Sequence, residues 1–183
     1  MTPGTTTARV ASALGTVVVL LTLIVVAGST AGSAGPPGPP PPAGTYRLPL
    51  AGSPDVVRDF EPPPVRWAAG HRGVDLRSTL GAEVVSPVAG VITFAGTVGG
   101  RPVVTVTDVE GHRSSVEPLV PSVEVGDHVP AGARLGTLTV EASHCAPNAC
   151  LHWGVRVGDD YVDPLGLLAG GGPAVLLPLD TRG

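Results

Sequence analysis

The chain has 183 residues with 15 acidic and 11 basic side chains, a formal net charge of −4, and arginine in place of lysine throughout. With no basic patch to neutralise phosphates, a nucleic-acid partner is excluded. The acidic balance also provides no overall attraction to an anionic surface, so any specificity has to come from a groove.

Taken in chain order, residues 14–27 are an apolar run preceded by Arg9 and followed by small residues at Ser29-Thr30-Ala31 and Gly32-Ser33-Ala34. Residues 1–34 read as a secretory signal peptide. Extended back to Ala11, the run over 11–27 is nearly long enough to span a bilayer, so an uncleaved membrane anchor is the alternative. In either case the remainder is expected outside the cytoplasm, secreted or held at the cell envelope. Residues 35–44, Gly-Pro-Pro-Gly-Pro-Pro-Pro-Pro-Ala-Gly, cannot pack as helix or sheet interior and should form an extended spacer. One domain's worth of chain follows, 45–168, and then a tail, 169–183, without legible chemistry.

Within the domain, Val, Thr, Gly and Pro dominate and no helical periodicity is sustained. Short strands are expected at Val84–Val85, Val91–Phe94, Val103–Thr107, Arg113–Val116, Leu135–Val140 and Leu151–Val157, with turn residues between them. This predicts an all-β, antiparallel fold with few or no helices, the one helical hint being a turn over Asp163–Leu168.

Two segments carry candidate chemistry. Ala68-Ala69-Gly70-His71-Arg72-Gly73-Val74-Asp75-Leu76 reads as loop running into strand, and a short loop can turn His71 and Asp75 onto one ion. In Leu151–Val157 the apolar residues fall at every second position, which puts His152 with Gly154 and Arg156 on the face opposite Trp153. His152 should therefore look into a polar groove. Two imidazoles and one carboxylate leave a four-coordinate Zn²⁺ one open position, where water can be activated for hydrolysis. A lone H-x-x-x-D pattern is weak; the second segment gives it weight. Cys145 and Cys150 are the only cysteines, and in an exported chain they are expected to form a disulfide. Thiolate ligation of zinc is the rival reading. His112, behind a turn glycine, and His128, in a Gly-Asp-His turn, are both expected to be solvated.

These residues, with Gly81–Ile92, the Val125–Gly132 turn and Leu135-Gly136, resemble the lysostaphin-like (M23) zinc metallopeptidases, whose H-x-x-x-D and H-x-H motifs supply the metal ligands. The likeness covers most of residues 46–168. It implies a groove on an antiparallel β-sheet, zinc held by His71, Asp75 and His152, and cleavage of peptide bonds in peptidoglycan. Two departures stand out. The family's first His of H-x-H is Cys150 here, and the His of its Tyr-x-His-Leu stretch is Pro118. Neither can polarise water or donate to an oxyanion as an imidazole does. Glu117 and His144 are the substitutes on hand, although alternation along an extended strand points Glu117 away from the face of Pro118. The resemblance thus leaves two readings, an attenuated cell-wall hydrolase and a zinc-binding pseudoenzyme that binds peptidoglycan or regulates another hydrolase. A biotinyl- or lipoyl-type carrier, whose hammerhead turns Ser86–Ile92 and Val125–Gly132 imitate, would need a lysine and is excluded.

Overall fold

The computed structural model describes Met1 and residues 45–140, 143, 145 and 147–169. The expected signal or anchor, the proline-rich spacer, His144 and the tail beyond Ala169 lie outside the described residues.

Among the described residues, eleven strands form two antiparallel sheets. The larger has the order β1-β2-β10-β6-β5-β4-β8, with β11 paired to the far half of β10; the smaller is β3-β9-β7. In chain order they are β1 (Val56–Arg58), β2 (Val74–Ser78), β3 (Glu83–Val85), β4 (Gly90–Val98), β5 (Arg101–Thr107), β6 (Arg113–Glu117), β7 (Leu119–Pro121), β8 (His128–Val129), β9 (Arg134–Leu138), β10 (Ala149–Val157) and β11 (Asp160–Val162). The all-β expectation holds. A single 3-10 turn, Pro164–Leu167, occupies the predicted helical position; Asp163 caps it by accepting from the Leu165 amide, and proline opens it.

The expected strands are present, with β4 running on to Val98 and β9 stopping at Leu138. β1, β7, β8 and β11 were not expected. Each has only two or three residues, too few for a period to show.

Alternation along β10 sorts its side chains as the sequence requires. Leu151, Trp153, Val155 and Val157 are buried, while His152 and Arg156 are half-exposed on the opposite face. Trp153 meets Leu76, Val116, Leu119 and Leu138 in one apolar cluster between the sheets, and its indole N–H donates to Ser114 Oγ at 2.9 Å. Burying a side chain of this size stabilises the fold by about 1.5–3 kcal/mol. It also fixes which way β10 faces, because a one-residue slip would turn Trp153 outward and His152 inward.

His112 departs from expectation. It is 3 % exposed rather than solvated, because the Asp108 carboxylate reaches its Nδ1 at 3.0 Å and also accepts the amide N–H groups of Glu110 and His112. His128 is exposed, as its turn implies.

Candidate metal centre and groove

Asp75 and His152 are direct cross-strand partners in the β2–β10 pairing. Opposite residues in such a pair project from the same face, so the carboxylate and the imidazole meet without any loop rearrangement. Asp75 is thus a strand residue, and the loop brings in His71 alone. A two-residue bridge holds His71: its amide donates to the Glu61 carbonyl at 2.8 Å and its carbonyl accepts from the Glu61 amide at 2.9 Å. Gly73 makes room. A Cβ there would collide with the Trp153 carbonyl oxygen and stand 2.8 Å from His152 Nε2, so the glycine lets the two segments close on each other.

His71 Nε2 lies 3.1 Å from Asp75 Oδ1 and 3.1 Å from His152 Nδ1, and His152 Nδ1 lies 2.9 Å from the same Asp75 oxygen. His71 and Asp75 are buried, at 5 % and 1 % exposure, and His152 is half-buried. On the far side of the His71 ring, Nδ1 is 2.6 Å from the Asp59 carbonyl oxygen. A carbonyl can only accept, so the proton sits on Nδ1, and in the neutral ring Nε2 presents a lone pair to the Asp75 oxygen. Two imidazole nitrogens and a carboxylate oxygen, all atoms able to ligate a metal, thus converge on one point. The donor set therefore fits a small cation, and the Asp59 carbonyl is the outer partner that fixes the tautomer of the first ligand.

The Cys145–Cys150 disulfide is formed, closing a separation of five residues. Its sulfurs lie within 4.8 Å of an Asp75 oxygen, so it flanks the centre on the β2 side. Pro118 is buried, and its carbonyl accepts from the Thr139 amide. Glu117 corrects the sequence reading. It is the direct cross-strand partner of His152 on β10, so its side chain rises from the same face, although alternation counted from Pro118 had turned it away. The strand ends at Glu117 and the chain then crosses to β7 in the other sheet, so alternation does not carry over to Pro118. The Glu117 carboxylate is held by Arg101 Nε at 2.7 Å.

Beside His152 a groove of about 380 Å³ runs over the floor made by β5, β6 and β10, lined among others by Glu117, Arg101, Ser115, Gly154, Arg72 and Tyr161. Sequence reasoning did not single out Arg101, Tyr161 or Asp59. Asp59 acts through its backbone carbonyl, which no side-chain pattern can mark.

The peptidase family M23 model matches residues 69–164, a span that contains His71, Asp75, Glu117 and His152. The chain belongs to peptidase family M23. An uncharacterized protein of Mycobacterium tuberculosis is 42 % identical to this M23 chain over 139 residues, 74 % of this chain and 55 % of that protein. A Mycobacterium bovis protein matches to the same extent. The chain thus spans about half the length of the curated relatives it matches. Among solved structures, the catalytic domain of the antimicrobial peptidase lysostaphin from Staphylococcus simulans is similar at 26 % identity and a TM-score of 0.53, over 61 % of this chain and 89 % of that one. The SpoIIQ–SpoIIIAH pore-forming complex shares the fold at 20 % identity and a TM-score of 0.59, over 69 % of this chain and 92 % of that one.

Proposed function

We propose that this M23 domain is an exported zinc metallopeptidase-like domain acting on peptidoglycan peptides, with hydrolysis attenuated by the residues at 118 and 150. The observation that carries the reading is the convergence of His71 Nε2, Asp75 Oδ1 and His152 Nδ1 within 3.1 Å of one another. Zn²⁺, which takes N and O ligands at ~2.0–2.2 Å, suits two imidazoles and a carboxylate. When bound, zinc supplies Lewis acidity, polarising a peptide carbonyl and making water a nucleophile near neutral pH.

The chain's own residues set the rest. His71 is oriented by Asp59, Asp75 is held opposite His152 by strand register, and the groove floor at Ser115 and Gly154 is low enough to admit an extended peptide. Pro118 and the oxidised Cys150 have no proton to give or take. Glu117 faces the groove, but its carboxylate is engaged by Arg101. That contact uses Oε1 alone, and the expectation of a slow enzyme rests on the missing imidazoles at 118 and 150. Export of the chain is supported by the signal-like residues 1–34 and by the disulfide, which persists in oxidising compartments.

The test is digestion of purified peptidoglycan by the zinc-loaded protein, with new amine and carboxyl ends read by mass spectrometry. New peptide ends that vanish on chelation and return with zinc are expected. Zinc bound stoichiometrically with no new ends would favour the second reading, a zinc-binding pseudoenzyme, for which Pro118 and the disulfide-bonded Cys150 are the specific support.

A further inference from the structure

At the other end of the groove floor, Arg156 on β10 and Arg113 on β6 are direct cross-strand partners. Like charges directly opposite each other on one sheet face are destabilising. The local surroundings neutralise them only in part. The Arg113 guanidinium donates to the Gly158 carbonyl at 2.8 Å and meets no carboxylate among the described residues. Arg156 pairs with Asp159, but Asp159 is shared with Arg66. The Nε of Arg156 is buried and donates to nothing among the described residues. Two arginines set opposite each other on one sheet face, with a single shared carboxylate bonded to them among the described residues, leave positive charge there for an acceptor from outside to meet.

The space for that acceptor is present. A cavity of about 440 Å³ holds Arg113, Arg156 and Thr107 and shares Ser115, Gly154 and Tyr161 with the groove beside His152. The two are therefore continuous across the sheet. Gly154 stands between His152 and Arg156 on β10 and leaves the floor flat. Tyr161 forms the wall, and the guanidiniums of Arg72 and Arg156 each lie 5.9 Å from its ring centre. Along β10, four residues separate His152 from Arg156, about 13 Å at ~3.3 Å per residue. An extended peptide covers that distance in three to four residues.

We propose that Arg113 and Arg156, walled by Tyr161, form a subsite that takes a free carboxylate of the bound peptide about 13 Å along β10 from His152, so that this end of the groove selects acidic over amidated peptide. A guanidinium presents a planar fork of N–H donors that matches a carboxylate's two oxygens. The proposal rests on the peptide-binding reading above for the identity of the ligand class, but not on zinc or on turnover. It also qualifies the whole-chain charge: a net charge of −4 coexists with a locally positive groove end.

Calorimetric binding to the full chain tests it, using a soluble peptidoglycan stem peptide with its free carboxylates and the same peptide with those groups converted to primary amides. The acid form is expected to bind roughly tenfold to hundredfold more tightly, with the preference shrinking as salt is raised. Arg113→Gln and Arg156→Gln should each bring the acid-to-amide ratio toward one. Arg134→Gln, the same charge change on β9 of the other sheet, should keep it. Equal binding of the two peptides, or binding of neither, by the parent protein overturns the proposal even if the protein holds zinc and cuts peptidoglycan. An acid preference in a protein that holds no zinc and cuts nothing supports the subsite and overturns the peptidase reading instead.

Discussion

His71 with Asp75 and His112 with Asp108 are both buried histidine–aspartate pairs four residues apart, with nitrogen-to-oxygen distances of 3.1 and 3.0 Å. What separates them is what else reaches each carboxylate. Asp108 accepts the amides of Glu110 and His112 on Oδ1, and the His112 ring and the Tyr46 hydroxyl on Oδ2. Every group around it is a donor and its lone pairs are used, so this pair ties the turn between β5 and β6 to the core. At Asp75 the neighbours include two imidazole nitrogens, one of them on a ring whose other nitrogen faces the Asp59 carbonyl. Identical residue types at identical spacing thus make a structural clamp in one place and a cluster that could hold a metal ion in the other. The third donor from a distant strand decides which.

The comparison breaks most sharply at His152. Replacing it with alanine should weaken zinc binding by roughly a hundredfold to a thousandfold, measured by competition with a chromophoric chelator, whereas His112→Ala should leave zinc affinity within about twofold of the parent, the surface-like null expected for a residue outside the cluster. Undiminished zinc affinity in His152→Ala would mean that the two pairs do not differ in the way described.

Turnover sharpens it further. Pro118→His combined with Cys145→Ser and Cys150→His returns two imidazoles to the positions where the family carries them, and should raise cleavage of a peptidoglycan-like peptide by about a hundredfold, the scale of one transition-state donor. The matching change at the structural pair has no catalytic counterpart. If the triple variant folds, binds zinc and is no faster, the attenuation lies elsewhere, and Glu117→Gln in the parent then reports whether that carboxylate has taken over the base role.

Asp108→Asn reads the other pair. It removes charge from hydrogen bonds to two amides, a ring and a phenol, and should lower folding stability by about 2 kcal/mol in denaturant unfolding with zinc affinity unchanged. A loss of zinc without loss of stability would reverse the roles assigned to the two pairs.

The smallest effect is a pH dependence. Burial, followed by the charge and hydrogen bond of Asp108, pushes the Tyr46 phenol well above its ordinary value near 10. The unfolded chain then gives up this proton from about pH 10 upward while the folded chain keeps it, so stability is complete below that value and falls as pH rises beyond it. Tyr46→Phe should flatten the alkaline limb of the stability curve, and an unchanged limb would show that another group governs it.

Much of this was legible in the chain before folding was considered. The alternation of Leu151, Trp153, Val155 and Val157 placed His152 on the open face, and burial of Trp153 enforces that placement. H-x-x-x-D with glycine at 73 marked the other two donors. The errors came where neighbouring strands decide. Alternation counted through Pro118 turns Glu117 the wrong way, because pairing with β10 ends at Glu117. A turn glycine before His112 implies solvent, whereas the use of Asp108 as a common acceptor for turn, ring and phenol leaves no mark in the sequence. β7 and β8 are strands only because β9 and β4 offer them partners.

By itself the sequence determined the kinds of donor, the faces of the longer strands, the all-β class of the described residues and the pairing of the two cysteines, because side-chain period and residue chemistry are local properties. Only the tertiary structure decided that Asp75 stands opposite His152, that the Asp59 carbonyl sets the His71 tautomer, that Glu117 is held by Arg101 and that Arg113 faces Arg156. Each of these depends on strand register and on the approach of segments up to 81 residues apart, and register is set by the burial of the whole core rather than by any residue's neighbours in the chain.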